Sequence, residues 1–308
     1  MERVATLTLN PAIDSACEAQ EVSPTRKIRT WGERYDPGGG GLNVSRVLHR
    51  FGVETEAVYL CGGPTGALLN ELLTQAGLPQ KPIPIKDHTR MSLAVYERST
   101  GHEYRFVPEG PLVADAEWRA ALGTCLASDT GWVVASGSLP RGLPDDFFAR
   151  LAAPVAAMGR KMVLDTSGAA LKAAMAAGGI YLAKPSVGEF EALVGRSLPS
   201  HADVAEAARP YVADGKVQYL AVTMGEEGAV LVHQGGVLTH PGIKAVAHST
   251  TGAGDSFLAG LVLGMLLEEP LERAFLRGIA SGTSAVLHPG TGLCQIADVE
   301  RLLEELSL

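Results

Sequence analysis

Three strand-like runs alternate with helical patterns in one continuous stretch, residues 132–183, WVVASGSLPRGLPDDFFARLAAPVAAMGRKMVLDTSGAALKAAMAAGGIYLA. The runs at 132–135, 162–164 and 180–183 are short and apolar. Such runs are typical of buried strands, and the helix-length segments between them can cross from one parallel strand to the next. The same alternation continues along most of the chain. It predicts an α/β fold with a mainly parallel central sheet.

Two segments interrupt this alternation, residues 12–37 and 88–108. Both alternate polar and apolar side chains without an intervening helical pattern, as in 92–96 and 103–107. Alternation with a period of two is typical of half-buried antiparallel strands. We therefore expect a small β-sheet that stands off the central sheet. Because no Ser/Gly-rich linker or internal repeat separates the two parts, we expect residues 1–308 to form a single domain.

The composition excludes several classes of protein. The 308 residues are 46% hydrophobic and 19% charged, which is typical of a globular chain with a sizeable core and excludes a disordered one. The net charge of −8 gives no basic surplus for binding a nucleic acid backbone, so no nucleic acid partner is expected. An anionic small molecule would have to be bound by a few local cations and backbone amides.

The cysteines, histidines and apolar runs favour a reduced protein without a zinc site or a membrane span. The four cysteines are widely spaced and form no C-x-x-C pair, and the eight histidines form no H-x-x-x-H pair. This pattern predicts neither a disulfide framework nor a zinc site. The longest apolar run, 257–267, is far shorter than the roughly 20 residues that cross a bilayer. With no export signal recognised at the start of the chain, we expect a cytoplasmic protein.

The sharpest local motif is TTGAGDSF at 250–257, a turn of small residues that leads directly into an apolar helix. The free N–H groups and the positive dipole end of such a helix favour an anion. Asp255 lies in the first turn, where a carboxylate could be only a helix cap. Beside a phosphate-binding amide cluster, it could instead act as general base for a substrate hydroxyl.

A second glycine cluster, DPGGGGLN at 36–43, precedes another helical pattern. Four successive glycines are compatible with a flexible hinge or with the close approach of a ligand or another backbone segment. Asn43 ends the cluster at the expected helix start, so it could be an N-cap or a ligand-binding residue. The local sequence leaves both alternatives open.

Three further motifs follow predicted strands: SGSLP at 136–140, KPSVGE at 184–189 and TMGEEG at 223–228. Each could be an ordinary turn. Since open α/β proteins bind ligands at the carboxyl ends of their strands, the set predicts a site at that edge of the sheet. Neither a Walker P-loop nor a strand-linked G-x-G-x-x-G is present, which disfavours a P-loop kinase and a dinucleotide oxidoreductase.

Taken in chain order, five motifs resemble the PfkB, or ribokinase-like, carbohydrate kinase family: NPAID at 10–14, GGGGLN at 38–43, SGSLP at 136–140, KP at 184–185 with Glu189, and GAGD at 252–255. The resemblance runs from residue 4 to about residue 300. Thr89, Arg90 and the segments 103–107 and 290–294 are most similar to the minor 6-phosphofructokinase subgroup.

The resemblance implies a three-layer α/β/α sandwich with a mainly parallel sheet and a β-sheet lid formed by about 12–37 and 88–108. It implies ATP-dependent phosphorylation of a ketohexose phosphate, most simply of fructose 6-phosphate to fructose 1,6-bisphosphate. Kinases of fructose 1-phosphate and tagatose 6-phosphate share the motifs and remain alternatives. The implied cofactors are ATP and Mg²⁺, with K⁺ as a further candidate, and the implied assembly is a homodimer through the lid.

The resemblance also implies roles for individual residues. The catalytic base would be Asp255, with transition-state stabilisation by the amides of Gly252, Ala253 and Gly254. Binding of the sugar phosphate would involve Asp14, Gly39, Gly40, Asn43, Arg90, Ser138 and, from a partner lid, Lys27. Binding of the nucleotide would involve Lys184, Ser186, Thr223, Gly225, Glu226 and Gly228. Glu189 would organise Mg²⁺ through water, and K⁺ would be bound by the carbonyl groups around Ala247, Ser249, Thr251, Ala285 and Gly290.

Two departures from the family pattern stand out. Ser186 occupies the first position of the usual Asn-x-x-Glu motif and has no amide to donate, although a hydroxyl with a water molecule could substitute. In the cation loop, His288 and Gly292 stand where the subgroup tends to have Asn and Arg. A sugar-phosphate-binding regulator that keeps the fold without turnover is therefore a rival interpretation. The intact GAGD motif argues against it, because a binder needs no base.

Overall fold

A nine-stranded sheet lies at the centre of the computed structural model, which describes residues 2–245, 249–288, 290 and 292–306. The strands, in chain order, are β1 (Val4–Thr8), β2 (Ala12–Ala19), β3 (Thr30–Gly38), β4 (Thr55–Cys61), β5 (Gln80–Pro84), β6 (Arg90–Glu97), β7 (Glu103–Phe106), β8 (Trp132–Ser136), β9 (Lys161–Asp165), β10 (Ile180–Ala183), β11 (Val217–Thr223), β12 (Ala229–His233) and β13 (Gly236–His240). The helices are α1 (Gly40–Arg50), α2 (Gly63–Gln75), α3 (Asp115–Ala127), α4 (Phe147–Ala157), α5 (Gly168–Ala177), α6 (Val187–Val194), α7 (His201–Ala213), α8 (Ala253–Leu266), α9 (Leu271–Val286) and α10 (Ile296–Leu306).

The strand order of the large sheet is β13-β12-β11-β10-β9-β8-β1-β4-β5. Every neighbouring pair from β11 to β5 is parallel, and β12 and β13 add an antiparallel hairpin at one edge. The mainly parallel sheet expected from the alternating runs is confirmed. The carboxyl ends of all its parallel strands therefore lie at one edge of the sheet, where a site can form.

Two apolar cores cover the two faces of this sheet. In β8, Val133 and Ala135 face the core formed with α3 to α7, whereas Trp132 and Val134 face the core formed with α1, α8, α9 and α10. All four side chains are at most 1% exposed. Strands buried on both faces read as continuous apolar runs, which explains the sequence pattern of 132–135. The three-layer α/β/α sandwich is confirmed.

A separate four-stranded sheet, hereafter the lid, has the order β3-β2-β6-β7. Its outer pairs are antiparallel, but β2 and β6 are parallel, from Ala12 opposite Arg90 to Ala19 opposite Glu97. The expectation of antiparallel pairing is wrong for this pair. Alternation with a period of two indicates that one face of a strand is exposed to solvent, but it does not indicate the direction of the neighbouring strand. The chain leaves the lid after β3 and re-enters it at β6 only after passing through α1, β4, α2 and β5.

Glu97 stabilises the end of the lid at which β2 and β6 finish. Its carboxylate accepts hydrogen bonds from Val22 N, Ser99 Oγ, Thr100 Oγ1 and Tyr104 Oη. These donors favour the ionised form and lower the pKa of Glu97 to about 2. One buried side chain therefore links the β6–β7 hairpin to the segment that follows β2. Within the part of the chain that the structure describes, no helix is long and apolar enough to span a membrane.

Candidate active site

The carboxyl ends of the central strands and the first turns of α1 and α8 meet at one edge of the large sheet. Ser136 ends β8, Asp165 ends β9, and Lys184 directly follows β10. Their side chains are connected: Lys184 Nζ lies 3.1 Å from Asp165 Oδ1, and Ser136 Oγ donates a 3.1 Å hydrogen bond to Asp165 Oδ2. The predicted position of the site at this edge agrees with this convergence.

Asp255 lies within helix α8 and is not its cap. The N-cap is Gly252, in the left-handed region at φ 77°, and no side chain caps the helix. The Asp255 carboxylate instead points to helix α1, where Asn43 Nδ2 donates a 2.8 Å hydrogen bond to Asp255 Oδ2. The helix-cap alternative is thereby excluded. Gly252, Ala253 and Gly254 form the turn whose amides begin α8.

Burial and charge set the protonation behaviour of Asp255. Its pKa is raised from 3.8 to about 6, first by desolvation and next by the negative charge of Asp165. The hydrogen bond from Asn43 and the charge of Lys184 act in the opposite direction. A carboxyl group with a pKa near 6 is largely ionised at neutral pH and still basic enough to accept a proton. This is the behaviour expected of a general base.

Lys184 is 4% exposed, so its charge must be balanced inside the protein. Burial disfavours the ammonium form, but the carboxylates of Asp165, Asp255 and Glu189 favour it more strongly, and the pKa of Lys184 is raised. A β-carbon added at Gly254 would lie 3.4 Å from Lys184 Nζ. The ammonium group therefore lies beside the first turn of α8.

Sequence reasoning missed Asp165. It follows the apolar run 162–164 at the end of a strand, the same position that drew attention to Ser136 and Lys184. Because an isolated Asp before Thr-Ser is also a common turn residue, the local sequence does not single it out. Only its contact with Lys184 identifies it as part of the site.

The glycine run belongs to ordered elements and is not a hinge. Gly38 ends β3, Gly39 caps α1 at φ 118°, and Gly40 begins that helix. A β-carbon at Gly39 would lie 2.7 Å from Thr8 Cγ2, and one at Gly40 would lie 3.2 Å from Asp255 Oδ1. The glycines therefore allow α1 to approach β1 and Asp255 closely. Asn43 is the fourth residue of α1 rather than its N-cap.

The lid contributes Asp14, from β2, and Arg90, from β6, to the set of candidate site residues. Asp14 accepts a hydrogen bond from Ser92 Oγ. The Arg90 guanidinium donates to the Pro108 carbonyl at 2.9 Å and to the Asn10 carbonyl at 3.0 Å, while its Nε is buried without a partner among the described residues.

Asn10 connects Ser138 with Arg90. The Asn10 side chain donates to Ser138 Oγ at 3.1 Å, and the Asn10 carbonyl accepts from Arg90. In the sequence, Asn10 is only the first residue of the NPAID motif, and its bridging role follows from the structure alone. A cleft of about 730 Å³ has a lining that includes Asp14, Arg34, Ser92, Thr251 and Gly290.

The two candidate nucleotide segments lie side by side. Thr223 N donates to the Pro185 carbonyl at 3.1 Å, and Thr223 pairs with Ser186 in an isolated β-bridge. A short 3-10 turn, Gly225–Glu227, follows. Gly225 and Gly228 have φ of 59° and 89°, a region that glycine adopts without strain. Gly225 and Glu226 are exposed, whereas Gly228 is buried.

Ser186 caps helix α6 in a capping box with Glu189. Ser186 N donates to Glu189 Oε2 at 2.8 Å, and Glu189 N donates to Ser186 Oγ at 3.4 Å. One oxygen of the Glu189 carboxylate is therefore engaged with the backbone. The serine that departs from the family motif has a structural role that its hydroxyl fills well.

The structure does not bring every predicted residue to the site. Lys27 lies exposed on the segment between β2 and β3 and makes no contact with the other candidate residues among those described. Ala247 lies outside the described residues. Ser249 Oγ accepts from Thr251 N at 3.2 Å, Thr251 and Gly290 line the same cleft, and Ala285 lies in the last turn of α9.

Comparison with known proteins adds independent evidence. The family model described as pfkB family carbohydrate kinase matches residues 7–298. The chain belongs to the pfkB family of carbohydrate kinases. This pfkB kinase is 38% identical over 304 residues to ATP-dependent 6-phosphofructokinase isozyme 2 of Mycobacterium tuberculosis, a match that covers 98% of the chain and 89% of the relative. It is also 35% identical over 306 residues to 1-phosphofructokinase of Rhodobacter capsulatus, with 96% of each covered.

Solved structures of phosphofructokinase-2 from Escherichia coli share the fold of this pfkB kinase along its whole length. The complex with potassium has a TM-score of 0.96 at 35% identity, and the complex with fructose-6-phosphate has a TM-score of 0.93 at 34% identity. Both matches cover 100% of this chain and of the solved chain. The pfkB kinase is thus a carbohydrate kinase, and the rival interpretation as a regulator without turnover loses its support.

Proposed function

We propose that this kinase transfers the γ-phosphoryl group of ATP to fructose 6-phosphate and forms fructose 1,6-bisphosphate and ADP. The observation that carries the proposal is the carboxylate of Asp255, which has a raised pKa and lies at the N-terminus of α8 next to a buried lysine. The proteins similar to this chain include both 6-phosphofructokinases and 1-phosphofructokinases. Fructose 1-phosphate is therefore the second candidate acceptor.

In this proposal, Asp255 accepts the proton of the sugar hydroxyl as the hydroxyl oxygen attacks the γ-phosphorus. The O–H bond breaks, the new O–P bond forms, and the β,γ-bridging oxygen leaves with ADP. The amides of Gly252, Ala253 and Gly254 stabilise the charge of the transferring phosphoryl group. The helix dipole of α8 acts in the same direction, since its positive end faces the anion. Lys184 adds a positive charge beside Gly254.

In the proposed arrangement, the remaining candidate residues divide between the two substrates. Toward the lid, Asp14, Gly39, Gly40 and Asn43 would hold the sugar, while Arg90 and Ser138 would bind its phosphate. Toward β11, the paired segments that contain Ser186 and Thr223 would hold the nucleotide, together with Gly225, Glu226 and Gly228. This division lets the two anionic substrates approach the α8 N-terminus from opposite sides.

The donor set fits Mg²⁺ bound mainly by the nucleotide and water. Among the described residues, no group of three or more His, Cys, Asp or Glu side chains could hold a metal ion by itself. Mg²⁺ commonly uses one or two carboxylates together with substrate phosphates. Glu189, through water, and Asp165, which both face Lys184, would supply hard oxygen atoms of this kind. The metal would neutralise charge on the phosphates.

Potassium activation is a further part of the proposal. Of the candidate carbonyl groups, those of Ser249 and Thr251 shortly precede α8, and those of Ala285 and Gly290 lie at and after the end of α9. A monovalent cation there would support the geometry of the amides at Gly252–Gly254. The relative solved with potassium gives reason to test it.

We further propose that two copies pair through their lids and that Lys27 reaches the sugar phosphate of the partner. The lid and the residues next to its strands expose large apolar side chains, which are costly to leave in water. They are Ile28, Trp31, Tyr35, Met91, Leu93, Tyr96, Phe106 and Val107. Within each copy, we expect residues 1–308 to act as a single domain.

The decisive experiment is an ADP-release assay over a panel of hexose phosphates. Wild-type protein is supplied with ATP, Mg²⁺ and, in turn, fructose 6-phosphate, fructose 1-phosphate or tagatose 6-phosphate. The highest kcat/KM is expected for fructose 6-phosphate. A clear preference for fructose 1-phosphate would assign the second candidate function, and no turnover with any of the three would refute the proposal. Lys172→Ala, a substitution at an exposed residue outside the candidate site, is the matched control and should have the kcat/KM values of the wild type.

A further inference from the structure

Arg46 connects the Asp255 site to the glycine-rich segment, although no motif singled it out. Arg46 Nη1 donates to Asn43 Oδ1 at 3.2 Å and to the Pro37 carbonyl at 3.0 Å. Asn43 Nδ2 in turn donates to Asp255 Oδ2 at 2.8 Å. A continuous line of hydrogen bonds therefore runs from the end of β3, through helix α1, to the first turn of α8.

The direction of these bonds fixes the Asn43 amide. Rotating the amide by half a turn would place its oxygen against the Asp255 carboxylate and its NH₂ group against the Arg46 guanidinium. Both contacts would then be repulsive, since a guanidinium has only donors and a carboxylate only acceptors. Arg46 thus selects the one orientation in which Asn43 donates to Asp255.

Arg46 also places a positive charge among carboxylates. The pKa of Arg46 is lowered, chiefly by burial and also by the charge of Arg50. The nearby carboxylates of Asp36, Asp14 and Asp255 offset part of this effect. An arginine stays charged in such surroundings. The charged or titratable groups that face Asp255 come from four elements: Asp14 of β2, Arg46 of α1, Asp165 of β9 and Lys184 after β10.

We propose that Arg46 is a positioning residue of this kinase. It orients the Asn43 amide toward the carboxylate of Asp255, and its bond to the Pro37 carbonyl holds the guanidinium in place for that contact. The inference rests on the proposed role of Asp255 as general base. Arg46 acts through Asn43, so its contribution should disappear once the Asn43 amide is removed.

A double-mutant cycle tests this dependence. Arg46→Met and Asn43→Ala should each lower kcat about tenfold, the effect of losing one charge-assisted hydrogen bond in the transition state. The double variant should be no slower than Asn43→Ala alone, and the KM for ATP should stay within about twofold. If the two losses instead multiply, Arg46 acts independently of Asn43 and the proposal is overturned.

A second measurement does not depend on which sugar is the substrate. The Asp255 carboxyl group is followed by ¹³C NMR during a pH titration, with Asp255→Asn used to assign the signal. Arg46→Met should raise the pKa of Asp255, because it removes both a positive charge and the oriented amide. Arg46→Lys, which keeps the charge and offers one donor, should bring the pKa part of the way back.

Arg50→Met is the matched control. Arg50 lies one helical turn further along α1 and donates to the Cys294 carbonyl, not to Asn43. This variant should leave the Asp255 titration at its wild-type position. An unchanged pKa of Asp255 in Arg46→Met would refute the positioning role even if kcat fell. If the wild-type protein did not phosphorylate fructose 6-phosphate, the titration would still decide the role of Arg46.

Discussion

Replacing Asp255 by Asn should abolish turnover and at the same time stabilise the fold. The amide is nearly the same size as the carboxylate but cannot accept the proton of the sugar hydroxyl. Loss of a positioned general base lowers kcat at least ~10²-fold. The KM for ATP should change little, because the proposed nucleotide contacts lie in the segments that contain Ser186 and Thr223 and not at Asp255.

The expected gain in stability follows from the raised pKa of Asp255. In the folded protein the pKa is about 6, against 3.8 for the ordinary side chain, chiefly because the carboxylate is buried. A difference of about two pH units corresponds to roughly 3 kcal/mol that ionised Asp255 costs the folded state. The Asn side chain also presents an NH₂ donor where the carboxylate had an acceptor, and this donor near Asn43 and Lys184 offsets part of the gain. We expect a net gain of about 1–2 kcal/mol in the free energy of unfolding near neutral pH.

The gain should depend on pH in a defined direction. Above pH 6, Asp255 is ionised in both the folded and the unfolded state, so the wild-type protein carries the full cost of burial. As the pH falls from about 6 toward 3.8, the folded protein binds a proton that the unfolded chain does not, and the cost disappears. The advantage of Asp255→Asn should therefore be largest above pH 6 and shrink toward zero near pH 4.

Two assays check this prediction. ADP release gives kcat, and urea unfolding at several pH values between about 4.5 and 8 gives the free energy of unfolding. Asp129→Asn, which neutralises an exposed carboxylate, is the control and should change neither quantity. A variant at Asp255 that keeps kcat within tenfold of wild type, or that is less stable than wild type near pH 7.5, would refute the reasoning.

Three further changes test other parts of the site. Arg90→Ala should raise the KM for the sugar phosphate about tenfold and leave the KM for ATP unchanged; a parallel rise in both constants would mean that its bonds to Asn10 and Pro108 are its main role. Ser186→Asn should keep the cap of α6, because Asn is an equally good N-cap, and should add an amide donor that lowers the Mg²⁺ concentration needed for half-maximal kcat. Identical Mg²⁺ curves would show that position 186 does not reach the metal and phosphates. Phe106→Glu should convert a lid-paired dimer into a monomer in analytical ultracentrifugation, and an unchanged sedimentation coefficient would count against pairing through the lid.

Local patterns in the sequence were sufficient to predict the type of the main secondary-structure elements and the edge of the sheet at which the candidate residues meet. Apolar runs buried on both faces identify parallel strands, as at 132–135, because burial on two sides leaves no polar alternation. Glycine-rich turns before helices, such as 252–255, predict anion-binding helix ends, because few other residues permit so close an approach. The family resemblance then supplied the chemistry of the individual residues.

Side-chain partnerships across long sequence distances could be learned only from the tertiary structure. The parallel pairing of β2 with β6, the contact of Asp165 with Lys184 and the bond from Asn43 to Asp255 each join segments that the sequence keeps apart. The pKa of Asp255 likewise depends on how deeply the fold buries it and on which charges the fold brings near. A one-dimensional pattern records which side chains are available. Burial and distance, which decide what those side chains do, are properties of the folded chain alone.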